Sequence, residues 1–138
     1  MALPTQLRLQ IVSADKSLVN EMVDEVEIPG ADGYFGVLPG HTPMLAMLQV
    51  GQLWYRKGNE KFYLSVAFGV AEVMPDRVII LADIAERAEE IDVDRAQSAL
   101  HRAEQNMATR DQDLERARVS LLKAISRLNV AHRARTRG

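Results

Sequence analysis

Four cationic side chains in the last third of the chain have the type and spacing needed to bind a polyphosphate. Arg95 and Arg102 are seven residues apart, and Lys123 and Arg127 are four apart, so each pair lies on one face of a helix. If two helices fold back on each other there, the four cations can converge on phosphate oxygens. On spacing alone, a solvated helix face is the commoner explanation of the same pattern.

Residues 91–96 (IDVDRA), which open this region, are typical of a helix start. The Asp92 side chain can accept hydrogen bonds from the first free backbone amides, and acidic residues at that end complement the helix dipole. Capping explains the segment by itself, and ligand binding is the alternative.

Catalytic and metal chemistry receive little support from the sequence. The chain has no cysteine, which excludes disulfides, thiolate zinc sites and cysteine nucleophiles. His41, His101 and His132 have no second ligand at metal spacing, and neither a P-loop nor a nucleophile elbow is present. Residues 33–40 contain three glycines but do not lead into a helix, so they do not form a phosphate cradle. We therefore expect a non-catalytic binding protein.

The first part of the chain has the period of β-strands. Leu7, Leu9 and Ile11 alternate with polar residues, and short apolar stretches between turn signals continue to Leu81. Many short strands separated by Gly and Pro turns predict an antiparallel sandwich or barrel that ends near Ala82.

The second part has the period of helices. Two heptad positions run through it: one is filled by Leu114, Leu121 and Leu128, and the other by Ala117, Ala124 and Ala131. A break near residues 109–111, with Asp111 as a cap, predicts an antiparallel helical hairpin. Its apolar stripe is narrow and rich in alanine, so the hairpin should be only loosely held.

Charge divides the chain at the same place. Residues 1–90 carry 7 basic and 13 acidic side chains, whereas residues 91–138 carry 10 basic and 6 acidic ones. This asymmetry predicts two parts with different partners. A nucleic-acid adaptor that uses the basic helix is one possibility, although the helix lacks interleaved aromatic residues. Neither a secretory signal nor a stretch of about 20 apolar residues is evident.

Four segments in order carry a resemblance to a known family. They are residues 33–45 (GYFGVLPGHTPML), residues 68–73 (FGVAEV) followed by 78–82 (VIILA), residues 85–88 (AERA), and the helical hairpin. Together they closely resemble the epsilon subunit of the rotary F-type ATP synthase, of the bacterial and chloroplast type. The resemblance extends over essentially the whole chain.

The resemblance implies a fold and a place in a complex. The expected fold is a ten-stranded β-sandwich over residues 1–86, which binds the rotor, followed by a regulatory helical hairpin over residues 87–138. The sandwich is expected to bind the central gamma stalk and to rest on the membrane ring of proton-carrying subunits. The subunit is expected to be peripheral, at the cytoplasmic face of the bacterial plasma membrane.

Partner contacts are implied for both parts. The loop of residues 33–41 is the part that the family turns toward the ring, through Tyr34, Phe35, Leu38 and His41. The hairpin is implied to be a mobile inhibitor that extends along gamma toward the catalytic β subunits. Its basic face meets acidic segments there, through Arg116, Arg118 and Lys123.

The resemblance also strengthens the nucleotide hypothesis. Residues 91–96 are similar to the family's nucleotide motif, I/L-D-x-x-R-A, found in members whose folded hairpin binds ATP as a regulatory ligand. The positions that match the pattern are Glu86, Asp92, Arg95, Ala96, Arg102 and Arg127. Lys123 stands where the best binders have arginine, and lysine keeps the charge but loses the planar fork that suits phosphate. No cofactor is required by this interpretation, and ATP is a possible ligand.

Overall fold

The computed structural model describes residues 3–108 and 114–136, which form a β-sandwich followed by two helices. The strands are β1 (Leu7–Val12), β2 (Ser17–Val23), β3 (Glu25–Gly30), β4 (Gly33–Val37), β5 (Met44–Leu48), β6 (Gly51–Lys57), β7 (Glu60–Met74) and β8 (Arg77–Arg87). A short 3₁₀ turn (Ala88–Glu90) leads to α1 (Val93–Ala108), and α2 (Leu114–Thr136) follows. The predicted break and the Asp111 cap lie outside the described residues.

Hydrogen bonds connect the strands in the order β2-β1-β8-β7-β5-β3-β4, and β6 pairs with β3 and β7. All of these pairs are antiparallel except β1 with β8, which run parallel. Alternate side chains of β1 face inward, so Leu7, Leu9 and Ile11 are completely buried. The predicted class, a sandwich followed by a helical hairpin, is confirmed.

The structure has eight strands in its described part, where the resemblance implied ten. The difference comes from β7 and β8, which have 15 and 11 residues and bend near Phe68 and Gly69. Divided at the bend, these two strands would give the expected number. Glycine disfavours the interior of a strand, but here the pairing between β7 and β8 continues past Gly69. For the same reason the last strand runs on to Arg87 and does not end near Ala82.

The bend depends on a very close approach of two strands at Gly69. This residue has φ 125°, and a Cβ added to it would meet the carbonyl oxygen of Leu81 and lie 2.8 Å from the Cα of Ala82. Only glycine fits such a position without moving the backbone. Phe68, immediately before it, has φ 62°, a left-handed conformation that costs a residue with a side chain about 1–2 kcal/mol.

The Gly69→Ala variant should therefore lose stability, by about 1–3 kcal/mol or more, since its methyl group clashes with backbone atoms of β8. Urea unfolding followed by the fluorescence of Trp54, the only tryptophan, measures the change. Gly36→Ala is the matched control, because a Cβ at Gly36 has nothing within 4 Å. Equal unfolding midpoints for the two variants would contradict a steric requirement at Gly69.

Candidate functional site

A cleft of about 430 Å³ lies between the helices and the bent strands. Glu86 of β8, Arg95 of α1, and Lys123 and Arg127 of α2 all line it. Its volume is in the range of small-molecule sites, which is about 300–1,000 Å³. Three of the four cations picked out by their spacing therefore meet at one opening.

Arg127 and Glu86 form a two-point ion pair across this cleft. The Arg127 Nε lies 2.7 Å from Glu86 Oε1, and a second guanidinium nitrogen lies 3.3 Å from Oε2. Both side chains are mostly shielded, at 21% and 29% exposure. A paired geometry of this kind combines charge with planar hydrogen bonding. It fastens α2 to the end of β8.

Lys123, one helical turn before Arg127, lies over an aromatic ring of the sandwich. Its Nζ is 5.7 Å from the centre of the Phe68 ring, within the range of a cation–π contact. Between these two contacts, the Ser126 hydroxyl lies 3.4 Å from the Ser65 hydroxyl, and both residues are buried. Sequence patterns gave no reason to select Phe68 or Ser65, because nothing in a linear pattern shows which strand residues a helix will cover.

The start of α1 is capped as the sequence predicted. The Asp92 carboxylate accepts a hydrogen bond of 3.1 Å from the Arg95 amide, and the Ala96 amide donates to the Asp92 carbonyl oxygen at 2.9 Å. Ala96 is completely buried in a small cluster with Ile91 and Val130. Asp92 and Ala96 thus hold the helix in place, and neither lines the cleft.

Arg102 does not reach the cleft either. Its Nε donates to the Ser98 carbonyl oxygen at 3.5 Å, and its side chain borders a shallow depression that is formed by α1 alone, beside His101. Arg95 and Arg102 share a helix face by spacing, but only Arg95 is placed at the sandwich. Of the residues matched to the nucleotide motif, the structure brings Glu86, Arg95 and Arg127 together, and Lys123 lines the same cleft.

A polar clamp holds the connection between sandwich and hairpin. Two nitrogens of the Arg87 guanidinium donate to the Leu18 carbonyl oxygen at 3.1 and 2.7 Å, and Lys16 pairs with Glu90 at 2.7 Å. The hydrogen bond from Lys16 is the main reason that the pKa of Glu90 is lowered. The stabilising effect of this pair is therefore present at neutral pH and is lost as the pH falls through the lowered folded-state pKa.

The residues predicted to contact the membrane ring differ in exposure. Leu38 is 55% exposed at the end of β4, and the amide of nearby Gly40 donates to the Pro75 carbonyl oxygen. Phe35 is partly buried and packs against the core, so it contributes to the stability of the sandwich. Tyr34 accepts a hydrogen bond from the Gln52 amide and borders a depression beside α2. The Nδ1 atom of His41 is hydrogen-bonded to the Thr42 carbonyl oxygen.

Two of the predicted inhibitory cations lie on the exposed surface of α2. Arg116 is exposed, and Arg118 lies 3.8 Å from Glu115, one turn earlier. Exposed pairs of this type contribute little to stability. These charges thus remain close to the surface, where another protein can reach them.

An apolar patch on the outer face of the sandwich was missed by the sequence analysis. Met47, Val70 and Leu81 are register partners across β5, β7 and β8, and Leu45 lies beside them on β5. Leu45, Met47 and Leu81 are 73%, 63% and 55% exposed. The unbroken apolar run of residues 44–48 was the available signal, since it lacks the alternation of a half-solvated strand.

Within residues 3–108 and 114–136, no group of three His, Cys, Asp or Glu side chains is arranged to hold a metal ion. None of the helices described combines the length and apolar character needed to cross a membrane.

Comparison with known proteins identifies both parts of the chain. Residues 6–88 match the family model for the ATP synthase delta/epsilon chain β-sandwich domain, and residues 89–132 match the model for its long α-helix domain. The ATP synthase epsilon chain of Syntrophobacter fumaroxidans is 47% identical over 130 residues, which cover 93% of this chain and 97% of that protein. ATP synthase epsilon chain 2 of Syntrophotalea carbinolica is 43% identical over 131 residues, 93% and 95% of the two chains.

Solved structures agree with this assignment. A chain in the mitochondrial ATP synthase of Euglena gracilis superposes with a TM-score of 0.82 at 25% identity, covering 99% of this chain and 84% of its own. A chain in the Tetrahymena thermophila enzyme shares the fold with a TM-score of 0.56 at 14% identity, over 96% and 98% of the two chains. From its sequence and its architecture, the chain belongs to the delta/epsilon chain family of ATP synthase and is a non-catalytic subunit of that complex.

Proposed function

We propose that this subunit links the gamma stalk to the membrane ring of a proton-translocating ATP synthase, and that its C-terminal hairpin inhibits ATP hydrolysis. The proposal rests on one observation: a basic hairpin is docked on the sandwich, and the main core of the sandwich contains no residue of the hairpin. The Euglena relative, which belongs to an assembly described as OSCP, F1 and c-ring, supports the rotor location. The proposed site in the cell is the cytoplasmic face of the bacterial plasma membrane.

The sandwich is built to stand alone. Its main core cluster consists entirely of residues from Leu7 to Ala85, and no residue of α1 or α2 belongs to it. The helices bury a separate, smaller cluster that includes Ile91, Val130 and Ala131. Removal of the hairpin therefore leaves the main core intact.

The hairpin is attached by small side chains and a few polar contacts. Its buried residues on α2 are Ala117, Ala124, Ser126, Val130 and Ala131. Because each buries little apolar area, the docked arrangement is held by a modest free energy, and a partner can draw the helices away. The basic excess of α2 suits acidic segments of the catalytic β subunits.

The apolar patch of Leu45, Met47, Val70 and Leu81 is proposed as the contact with gamma. Exposed apolar side chains that line up across three strands usually mark a protein interface. The exposed Leu38, on a separate loop, is proposed to face the membrane ring.

ATP is proposed as a regulatory ligand of the cleft. Arg95, Lys123 and Arg127 provide the positive charge that phosphates need, at an opening of suitable volume. Bound ATP would bridge α1 and α2 and favour the docked hairpin. Family membership leaves the nucleic-acid adaptor without any observation in its favour.

Leu45→Glu and Met47→Glu should each weaken binding to gamma, because a carboxylate must then be buried at the interface. Copurification of each variant with gamma measures the loss, which we expect to exceed tenfold in affinity. Leu3→Glu is the matched control, since Leu3 is 80% exposed and lies outside the patch. Undiminished binding by both variants would place the gamma contact elsewhere.

Arg95→Ala and Arg127→Ala should each reduce ATP affinity by about tenfold or more, because each removes a charge-assisted contact of about 1.5–3 kcal/mol. Calorimetry on the isolated subunit measures this. Arg102→Ala is the control, because Arg102 lies outside the cleft and should matter much less. A larger loss of ATP affinity for Arg102→Ala than for Arg95→Ala would exclude the cleft as the site. If the unmodified protein gives no binding heat at millimolar ATP, ATP is not a ligand of this subunit.

A chain that ends after Glu90 should fold, assemble into the complex and support ATP synthesis, because the main core and the apolar patch are retained. ATP hydrolysis by that complex should no longer be restrained. Reversal of Arg116, Lys123 and Arg127 to Glu should release hydrolysis more weakly, and added salt should weaken inhibition by the unmodified subunit. Failure to assemble would show that the helices are structural, and unchanged hydrolysis in an assembled complex would show that they do not inhibit.

A further inference from the structure

The backbone of Phe68 has a conformation that is unfavourable for a residue with a bulky side chain. Within the described part of the chain, it is the only residue other than glycine with a positive φ. For a bulky side chain such a conformation is a true outlier, and it persists only where the surroundings enforce it. Here the enforcing feature is the bend of β7, where pairing with β8 passes from Ala67–Ile84 to Gly69–Ala82 and skips Phe68.

The ring of Phe68 does not gain burial in the core in return. The side chain is 36% exposed and is not part of either core cluster. The centre of its ring lies 5.7 Å from Lys123 Nζ of the hairpin. A strained aromatic residue that faces a mobile helix is therefore a candidate for a role in docking.

Both cations on this face of α2 are engaged with the sandwich while the hairpin is folded down. Lys123 lies over Phe68, and Arg127 is paired with Glu86 one turn later. The apolar residues that α2 buries are mostly alanine, so these two contacts add to a modest apolar attachment.

We propose that Phe68 is a positioning residue that anchors the docked hairpin: the left-handed backbone at the bend presents its ring to Lys123, and together with the Glu86–Arg127 pair it keeps the basic face of α2 on the sandwich. The backbone strain at Phe68 lowers the stability of the sandwich, and in return the ring helps to keep the hairpin docked. Release of the hairpin frees the same two cations for another partner.

The Phe68→Gly and Phe68→Ala variants separate these two effects, because both remove the ring and only glycine relieves the left-handed strain. The urea midpoint reported by Trp54 should therefore be higher for Phe68→Gly than for Phe68→Ala. Amide hydrogen exchange across α2 should become about two- to fivefold faster in both variants, as expected for loss of a cation–π contact. Unchanged or slower exchange in α2, or equal urea midpoints for the two variants, would overturn the proposal.

Two further variants test whether the ring acts through Lys123. Phe68→Leu keeps the strain and removes the aromatic face, so exchange should accelerate without a gain in midpoint. Lys123→Gln should accelerate exchange in the unmodified protein but add little in the Phe68→Gly background. Lys61→Gln is the matched control, because it removes a cation from Trp54, 4.1 Å away on the strands, and should leave α2 exchange unchanged. Additive effects of Phe68→Gly and Lys123→Gln would refute the pairing.

A last measurement, which rests on the proposed inhibition, uses the assembled complex. A hairpin that leaves the sandwich more often should inhibit hydrolysis more strongly, so Phe68→Gly should deepen inhibition in the full chain and have no effect after truncation at Glu90. Deeper inhibition supports the anchor. Faster exchange without deeper inhibition would count against the inhibitory role and leave the anchor in place, so the two failures can be told apart.

Discussion

The structure depends on one close approach of two backbones, where Gly69 passes against Leu81 and Ala82. This contact lets β7 and β8 stay paired through the bend, so β7 can pair with both β5 and β6 while β8 pairs with β7 and β1. The bend also presents Ser65, Phe68 and Glu86 to α2. A single steric requirement in the sandwich thus fixes the surface on which the helical hairpin rests, and it links the stability of the sandwich to the position of the hairpin.

Much of the fold was predictable because its determinants are local. The alternation of Leu7, Leu9 and Ile11, the cap at Asp92 and the alanine heptad of α2 each depend on neighbouring residues, and each was recovered, whereas Leu114 of the leucine heptad is 59% exposed. The strands β2 and β5 were not predicted, since Leu18 and Val19 are adjacent buried residues beside a register shift and β5 exposes apolar side chains. Both patterns arise from tertiary or partner contacts, which sequence periodicity does not contain.

The candidate cleft was predictable only in part, for a similar reason. Helix spacing identified the cations, and three of them, Arg95, Lys123 and Arg127, line the cleft. Spacing could not show that the Arg102 side chain lies along α1 and outside the cleft. Nor could it show that Arg127 is already paired with Glu86. Those facts depend on the direction in which each side chain leaves its helix. The ion pair also means that an incoming phosphate must compete with a carboxylate for the same guanidinium.

The clamp formed by Arg87, Leu18, Lys16 and Glu90 has a geometric consequence. It fixes the point at which the chain leaves the sandwich, so the proposed release of the hairpin would be a swing about that fixed point. At about 1.5 Å per residue, the 16 residues of α1 are about 24 Å long and the 23 residues of α2 about 35 Å long. The two helix lengths therefore limit how far from the attachment point the hairpin could reach, and only surfaces of the complex within that distance could contact it.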